Sequence, residues 1–517
     1  MSGFNLAFLI FFIIYVCVLL GISLYRTRGA QEMADHVLGG RQAGAITTGL
    51  SASSSLERGW ALLVLPAIAL EFGFLVLIIG CATIVFGMWS AWRFMAPRIR
   101  RFTTGAQNAL TLPELFERRF MDSTGALRVL AALLTIFFVI FYVSAGLLAG
   151  GRLLYIVFGL DVKVGGLITL LIVLSYIFLG GYMVVVRTDV FQSLLTIVGV
   201  LVLIAAMLFV TSNAAAELST SFSQSWDHFI SGGETDGVAL APVFLFLIFL
   251  AFTQGVYGAQ RLMYRFMAVK SEAIMVPSRR ISSTWIFVLL GSCLLLGLVA
   301  DIAFTQQGFL AERALIQESA DEGRHGGTML FYMSAQLFLN PVVGAFALTA
   351  IAAAVMSTID SQLLVGSAVA TTDLPFVRNF GQRRRFVYVL GAFARVWIGR
   401  LILIFIGVAS WLLAIVQPQS VIALLSYAWV GMGGVFGPIT ILTLYWRRFN
   451  IWGAYAGLIV GGLITIVCTV MGIHPFMFGV LMVFVAPIVV VVTLLTSKPS
   501  AEVVGLFDQL VEKPGPA

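Results

Sequence analysis

The chain has 517 residues, 60% of them hydrophobic and 11% charged, with a formal net charge of +7. Soluble domains carry about 25% charged residues, so a water-soluble enzyme or binding module is excluded. The excess of Lys and Arg does not mark a nucleic-acid binder, because it is parcelled into separate loops.

Taken in chain order, apolar runs near the roughly 20 residues that cross a bilayer lie at 5–25, 45–71, 74–97, 129–150, 164–186, 190–211, 242–262, 284–305, 331–358, 388–412, 419–445, 451–471 and 475–496. The fold class expected is an all-α polytopic membrane protein of about thirteen spans, one domain over 1–517. The first run, FNLAFLIFFIIYVCVLLGISLY, is too long for a cleaved signal and reads as a retained helix. Basic residues recur at 26–41, 98–119, 261–280, 378–385 and 447–448, whereas 212–241 has none. This alternation predicts an N-terminus outside and a cytoplasmic C-terminus; the membrane expected is a bacterial-type inner (plasma) membrane. The stretch 497–517 reads as a short polar cytoplasmic tail.

Two spans break the apolar pattern. The first holds SASSSLERGW (51–60), the second AFTQGVYGAQRLMYRF (251–266). Both mix small and polar residues, and both are expected to be interrupted helices whose unwound backbone faces a cavity. Interrupted helices in corresponding places of two halves point to a secondary transporter with inverted repeats. The halves would be 45–211 and 242–445, with 5–25 as an extra first helix and 451–496 as two extra helices.

The third polar cluster is AIAAAVMSTIDS (350–361). Its small residues suit close helix packing, and its hydroxyls can bond back to the preceding turn. The alternative is a sodium site, since a hard cation takes hydroxyl and carbonyl oxygens. Cys17, Cys81, Cys293 and Cys468 sit inside apolar runs, and His36, His228, His325 and His474 are dispersed, so no metal-binding spacing is visible. No HExxH or nucleophile–base pair is present, and no enzymatic activity or organic cofactor is expected.

Several stretches together resemble the sodium/solute symporter family, and most nearly its sodium/proline branch. They are VLGGR (37–41), ALTLPELFERRF (109–120), FLGGYMVVVRTDVFQ (178–192), RFMA (265–268), RRIS (279–282), AAVMSTIDSQLL (353–364) and SYAWVGMGGVFGP (426–438). The resemblance implies a leucine-transporter-type core of five plus five helices that couples entry of a small solute to sodium. It implies sodium ligands at Ser54 and Glu57 through backbone carbonyls, and at Ala354, Ser357 and Thr358. It places Asp189 near the inner mouth of the ion path; neutralisation of Arg187 is the plainer reading of that residue.

The departures from the branch are informative. Its Asp-Met-Ser-Gly-Trp reads Leu56-Glu57-Arg58-Gly59-Trp60 here, and its pocket Trp, Tyr and Pro read Phe252, Val256 and Gln260, with Tyr257 kept as an aromatic. The expected substrate contacts are therefore Arg58, Trp60, Phe252, Val256, Tyr257 and Gln260. A charge in the bilayer core persists only where it is paired or wetted. Glu57 and Arg58 can neutralise each other, Arg58 can clamp a substrate carboxylate, or Arg58 can replace a bound cation, which would make transport proton-coupled or sodium-independent. Asp360 is a further intramembrane charge of interest, and Tyr142 and Trp429 are candidate pocket aromatics. The expected partners are a small zwitterion or anion, proline by branch resemblance, and the bilayer, with no nucleic acid and a monomeric protein. A transporter-like sensor is the other class considered.

Overall fold

A computed structural model describes residues 3–25, 33–72, 75–213, 215–220, 223, 241–321, 326–378, 388–416 and 421–512. Most of the expected outer loop at 212–241, together with Arg383, Arg384 and Arg385, lies outside the described residues. The described residues are almost wholly helical, with one isolated backbone bridge between Ala43 and Val269.

The helices in chain order are α1 Gly3–Leu24, α2 Met33–Leu38, α3 Ala45–Phe72, α4 Leu75–Ser90, α5 Ala96–Gly105, α6 Leu112–Phe120, α7 Ala126–Phe158, α8 Val162–Gly180, α9 Tyr182–Val210, α10 Ala241–Gly258 and α11 Gln260–Met267. They continue with α12 Met275–Gln306, α13 Leu310–Asp321, α14 Gly326–Phe338, α15 Pro341–Asp373, α16 Tyr388–Val416, α17 Val421–Tyr445, α18 Ile451–Val470, α19 Pro475–Val483, α20 Val485–Leu495 and α21 Ala501–Glu512. Among the described residues, ten helical segments are long and apolar enough to cross a membrane. The other expected spans, 45–71, 74–97 and 242–262, correspond to α3, to α4 running on into α5 and to α10 running to the break before α11.

Local chemistry sets the boundaries. Asp161 caps α8 by accepting from Lys163 N (2.7 Å), and Asn450 caps α18 through Gly453 N (2.9 Å). Between α8 and α9 the chain turns at Gly181, φ 64° and ψ −156°, a conformation essentially reserved for glycine. The expected span 331–358 straddles a real boundary. Asn340 accepts from Val342 N and Val343 N, and Pro341 opens α15, so α14 ends at Phe338 and the long helix runs 341–373.

The interruption expected near 52–60 is absent from the backbone: α3 runs unbroken from Ala45 to Phe72. The serines explain why polarity did not break it. Ser53 Oγ donates to Gly49 O (2.8 Å), Ser54 Oγ to Ser51 O (3.4 Å) and Ser55 Oγ to Ala52 O (3.3 Å), so each hydroxyl is satisfied by its own helix. The second interruption is real. Ala259 is extended at φ −65° and ψ 96°, which separates α10 from α11.

In the most apolar stretches of α15 and α17, 83% of the residues are buried, against 28% in α1 and 33% in α16. This contrast puts α15 and α17 at the centre and α1 and α16 at the rim. α15 packs on α3, α7, α9 and α11, and α10 crosses α17 and α4. The basic loops gather at one end. Arg41 donates to Met267 O (2.8 Å) and Ala109 O (3.0 Å), and Arg101 pairs with Glu272 (2.7 Å). Burial, with Arg100 adding repulsion, lowers the pKa of Arg41 to about 10.

The tail is not a plain polar segment. Residues 501–512 form an amphipathic helix whose Val503, Phe507 and Leu510 are buried, and it packs on α5 and α6 at the same end. Apolar spacing of four and then three residues along AEVVGLFDQLVE was the available signal.

Candidate functional site

The site is built around the start of α11. After the break at Ala259, all eight residues of α11 are buried, two of them arginines. Arg265 Nη2 donates to Asp189 Oδ2 (3.1 Å) and Ser361 Oγ (2.7 Å), and its Nε donates to Ser51 Oγ (3.1 Å). Ser51 Oγ in turn donates to Asp189 Oδ2 at 2.6 Å. One guanidinium thus links α3, α9, α11 and α15. Asp189 is fully buried and forms an ion pair with the equally buried Arg265.

One turn earlier, Arg261 Nη2 donates to Tyr142 Oη (2.8 Å). Its guanidinium lies 4.2 Å from the centre of the Tyr142 ring and 5.5 Å from that of Trp429. Gln260 Nε2 reaches Thr135 Oγ1 on α7 at 2.6 Å. The structure therefore groups Arg261 with Tyr142 and Trp429, and ties Gln260 to Thr135 on the same helix α7. Val256 and Tyr257 turn toward α4 instead: Val256 packs at Gly87, and Tyr257 Oη shares a hydrogen bond with Ser90 Oγ (2.7 Å). The side chains of Glu57, Arg58, Trp60 and Phe252 lie outside the described residues.

The hydroxyl cluster sits on α15. Ser357 Oγ and Thr358 Oγ1 both donate to Ala354 O, at 3.1 and 3.2 Å, so three oxygens converge within one turn. Ala354 and Ser357 are fully buried and Thr358 nearly so, as is Ser54 on the facing helix α3. Hydroxyls that donate to a carbonyl keep lone pairs for a cation. Beside them is a small cavity of about 20 Å³, bounded by Tyr142, Leu63, Val355, Thr358 and Leu425 among others. Its wall is mostly aliphatic, with Thr358 of that cluster and Tyr142 of α7 as its hydroxyl-bearing residues. Asp360 accepts from Tyr176 Oη (2.8 Å), a contact toward α8. Among the described residues, no group of three or more His, Cys, Asp or Glu could hold a metal.

Sequence reasoning assigned Arg261 and Arg265 to a basic loop, and both are buried in α11. The available signal was their spacing of four residues within a helical stretch, which puts both on one face.

The model of the sodium:solute symporter family matches residues 36–461, and the chain belongs to that family. It is 31% identical over 507 residues to the osmoregulated proline transporter OpuE of Bacillus subtilis (strain 168), covering 97% of this chain and 98% of that one. It is 30% identical to the sodium/proline symporter of Escherichia coli (strain K12), covering 95% and 94%. Both relatives are transporters. Among solved structures, a Na+-coupled sialic acid symporter in a substrate-bound outward-open state superposes with TM-score 0.76 at 19% identity, covering 96% of this chain and 99% of that one. The nucleobase-cation-symport-1 transporter MHP1, in a closed conformation, superposes with TM-score 0.52 at 14% identity, covering 92% and 98%. These likenesses define a shared multi-pass helical transporter fold.

Proposed function

We propose that the protein is a secondary active transporter that carries a small amino acid or carboxylate, proline first among them, together with sodium by alternating access. The sodium ligands are the hydroxyls of Ser357 and Thr358 and the carbonyl of Ala354, joined by the backbone carbonyls of Ser54 and Glu57 in a state where α3, continuous in this structure, opens between them. Asp189 lies on the ion path at the basic, cytoplasmic end, and the N-terminus is outside. The halves 45–211 and 242–445 form the inverted repeat.

The observation that carries this reading is the convergence of Ala354 O, Ser357 Oγ and Thr358 Oγ1 beside a cavity that also reaches Tyr142. A hard cation favours such an all-oxygen set. A filled ion site that favours the solute-binding state links the two occupancies, so each ligand tightens the other by the same factor. Family membership and the proline-transporting relatives support sodium and proline as the first ligands to try.

The test is uptake of radiolabelled proline into proteoliposomes, with sodium and proton gradients imposed separately. Concentrative uptake under a sodium gradient alone is expected. Uptake that follows only the proton gradient would refute sodium coupling, and no concentrative uptake of any amino acid or carboxylate would refute transport.

A further inference from the structure

Arg400 places a charge in a membrane helix with no opposite charge to meet it. It lies near the start of Val396–Val416, the part of α16 long and apolar enough to cross a membrane, about 6 Å in at 1.5 Å per residue. Ser367 Oγ donates to Gly399 O (2.7 Å), which sets this turn of α16 beside the last two turns of α15. α15 ends at Asp373, paired with Arg128 at 2.6 Å, so Arg400 sits toward the basic end of the bundle. Its guanidinium lies 4.8 Å from the centre of the Trp397 ring and 5.1 Å from that of Phe178 on α8. Its Nε is enclosed and has no acceptor. Among the described residues no carboxylate or carbonyl takes the two terminal nitrogens either, and these are not enclosed. Trp397, Leu401 and Phe405, spaced by four, are 40%, 61% and 72% exposed and form the outer face of α16. The open edge of Arg400 therefore emerges beside a lipid-facing stripe, where α16 packs on α8.

A charge at this depth is costly unless it is paired or wetted. The two aromatic faces contribute about 0.5–2 kcal/mol but accept no hydrogen bond in the guanidinium plane. We infer that the terminal nitrogens of Arg400 bind the phosphate of an anionic phospholipid in the leaflet at the basic end, with its acyl chains along Leu401 of α16 and the exposed Leu171 of α8. A guanidinium edge matches two phosphate oxygens with parallel charge-assisted bonds. Tryptophan is favoured at the same level of a bilayer, which suits Trp397 to the headgroup boundary. The preference for an anionic over a zwitterionic lipid follows from the sequence leading into α16, RNFGQRRR (378–385), with four arginines and no acid. Basic residues next to a span attract anionic headgroups. This site is separate from the ion and solute sites proposed above and does not rest on that reading.

The test titrates three lipids with the same acyl chains into the purified full chain in dodecyl maltoside and reads the bound lipid by native mass spectrometry. They are dioleoyl phosphatidylglycerol, dioleoyl phosphatidylcholine and dioleoylglycerol, which has no phosphate. The wild type is expected to hold its tightest phosphatidylglycerol about tenfold more strongly than dioleoylglycerol, with phosphatidylcholine between them. Millimolar inorganic phosphate should not compete, because a free ion gains nothing from the acyl contacts. Arg400→Gln is expected to weaken the tightest phosphatidylglycerol about tenfold, since the charge-assisted pair of bonds is lost. Arg447→Gln removes a cation from the same end, one already paired with Asp508, and should leave that binding unchanged. If Arg400→Gln does not fold, the wild type decides: phosphatidylglycerol with a photoreactive headgroup should label peptides that contain Phe178 and Trp397. A wild type that does not prefer phosphatidylglycerol to the other two lipids would overturn the inference. So would competition by phosphate, unchanged binding in Arg400→Gln, an equal loss in Arg447→Gln, or labelling confined to other helices.

Discussion

Arg265 Nη2 stands 3.1 Å from Asp189 Oδ2, and both side chains are fully buried. The pair brings a charge from α11 onto one from α9, and Ser51 and Ser361 complete the group from α3 and α15. Removing one member of a buried pair strands the other, at a cost of about 3–5 kcal/mol, whereas an apolar replacement of both is often neutral. Arg265→Gln should therefore lower thermal stability sharply in detergent. Arg265→Met combined with Asp189→Leu should recover most of that loss. A double variant as unstable as the single one would show that the serines, and not the ion pair, set the energetics.

The hydroxyls of Ser357 and Thr358 carry a separate expectation. If they supply lone pairs to sodium, Ser357→Ala and Thr358→Ala should each raise the sodium concentration for half-maximal uptake about tenfold, equivalent to one lost ligand of about 1.4 kcal/mol. Thr358→Ser keeps the oxygen and should stay near wild type. Ser357 is fully buried and close-packed, so stability is measured alongside. Unchanged sodium dependence in both alanine variants would count against the cation site.

Asp122 supplies a pH expectation outside the spanning helices. Its Oδ1 accepts from Thr124 N (3.0 Å) and Thr124 Oγ1 (2.6 Å), and its Oδ2 from Leu127 N (2.9 Å) at the start of α7. Burial works to raise its pKa, but these bonds outweigh burial and the carboxyl titrates below its ordinary value. A lowered folded-state pKa means that the stabilisation is complete above the ordinary carboxylate range and fades as pH falls through the lowered value. Asp122→Ala should cost about 1 kcal/mol at neutral pH, as loss of a helix cap does. The gap from wild type should close in acid; a gap that stays constant down to pH 3 would contradict the assignment.

Much of this arrangement was legible in the sequence, and the misses have specific causes. Apolar run length located the membrane helices because lipid leaves backbone groups no partner except their own helix. The break at Ala259 was signalled by the glycines and polar residues of TQGVYGAQ. The same logic failed at SASSSLERGW, since serine hydroxyls can satisfy themselves within a continuous helix, as Ser53 does at Gly49 O. The Ser357–Thr358 cluster was legible because hydroxyls on a small-residue helix are unusual in lipid. Arg265 with Asp189 was not, because 76 residues separate them and no local spacing encodes a contact between α9 and α11. The docked tail was not legible because an apolar stripe of Val503, Phe507 and Leu510 is too short to span a bilayer and does not itself say which surface will cover it.

That tail gives a contrast between apolar and charged contacts. Phe507 meets the Phe102 ring edge-on at 5.8 Å and sits 4.8 Å from the Arg119 guanidinium. Phe507→Ala should weaken docking by about 3 kcal/mol, the usual cost of a large buried truncation, and open the segment before α21 to protease. The Arg447–Asp508 pair has good geometry (2.7 and 2.9 Å) but is exposed. Water and salt screen it, so Asp508→Asn should leave proteolysis nearly unchanged. The reverse order of sensitivities would make the tail an electrostatic latch.

α10 and α17 approach closely just before the helix break, and glycine is what allows it. A methyl group added at Gly433 would stand 2.5 Å from Gly255 Cα and 2.6 Å from Gly255 N, which are backbone atoms that cannot rotate away. Small residues at such crossings let membrane helices pack by their backbones. Gly433→Ala should force the helices apart, at the 1–3 kcal/mol or so typical of overpacking, and shift Ala259 with the α10 segment. Proline uptake should fall with stability, because the break that α10 carries moves with it. Gly505→Ala in α21 is the control: nothing lies within 4 Å of the added methyl. There the change should stabilise the helix by about 0.5–1 kcal/mol through backbone entropy alone. Equal tolerance of alanine at both positions, read by thermal melting and proline uptake, would mean that α10 and α17 can separate freely and that the break is not held by their contact.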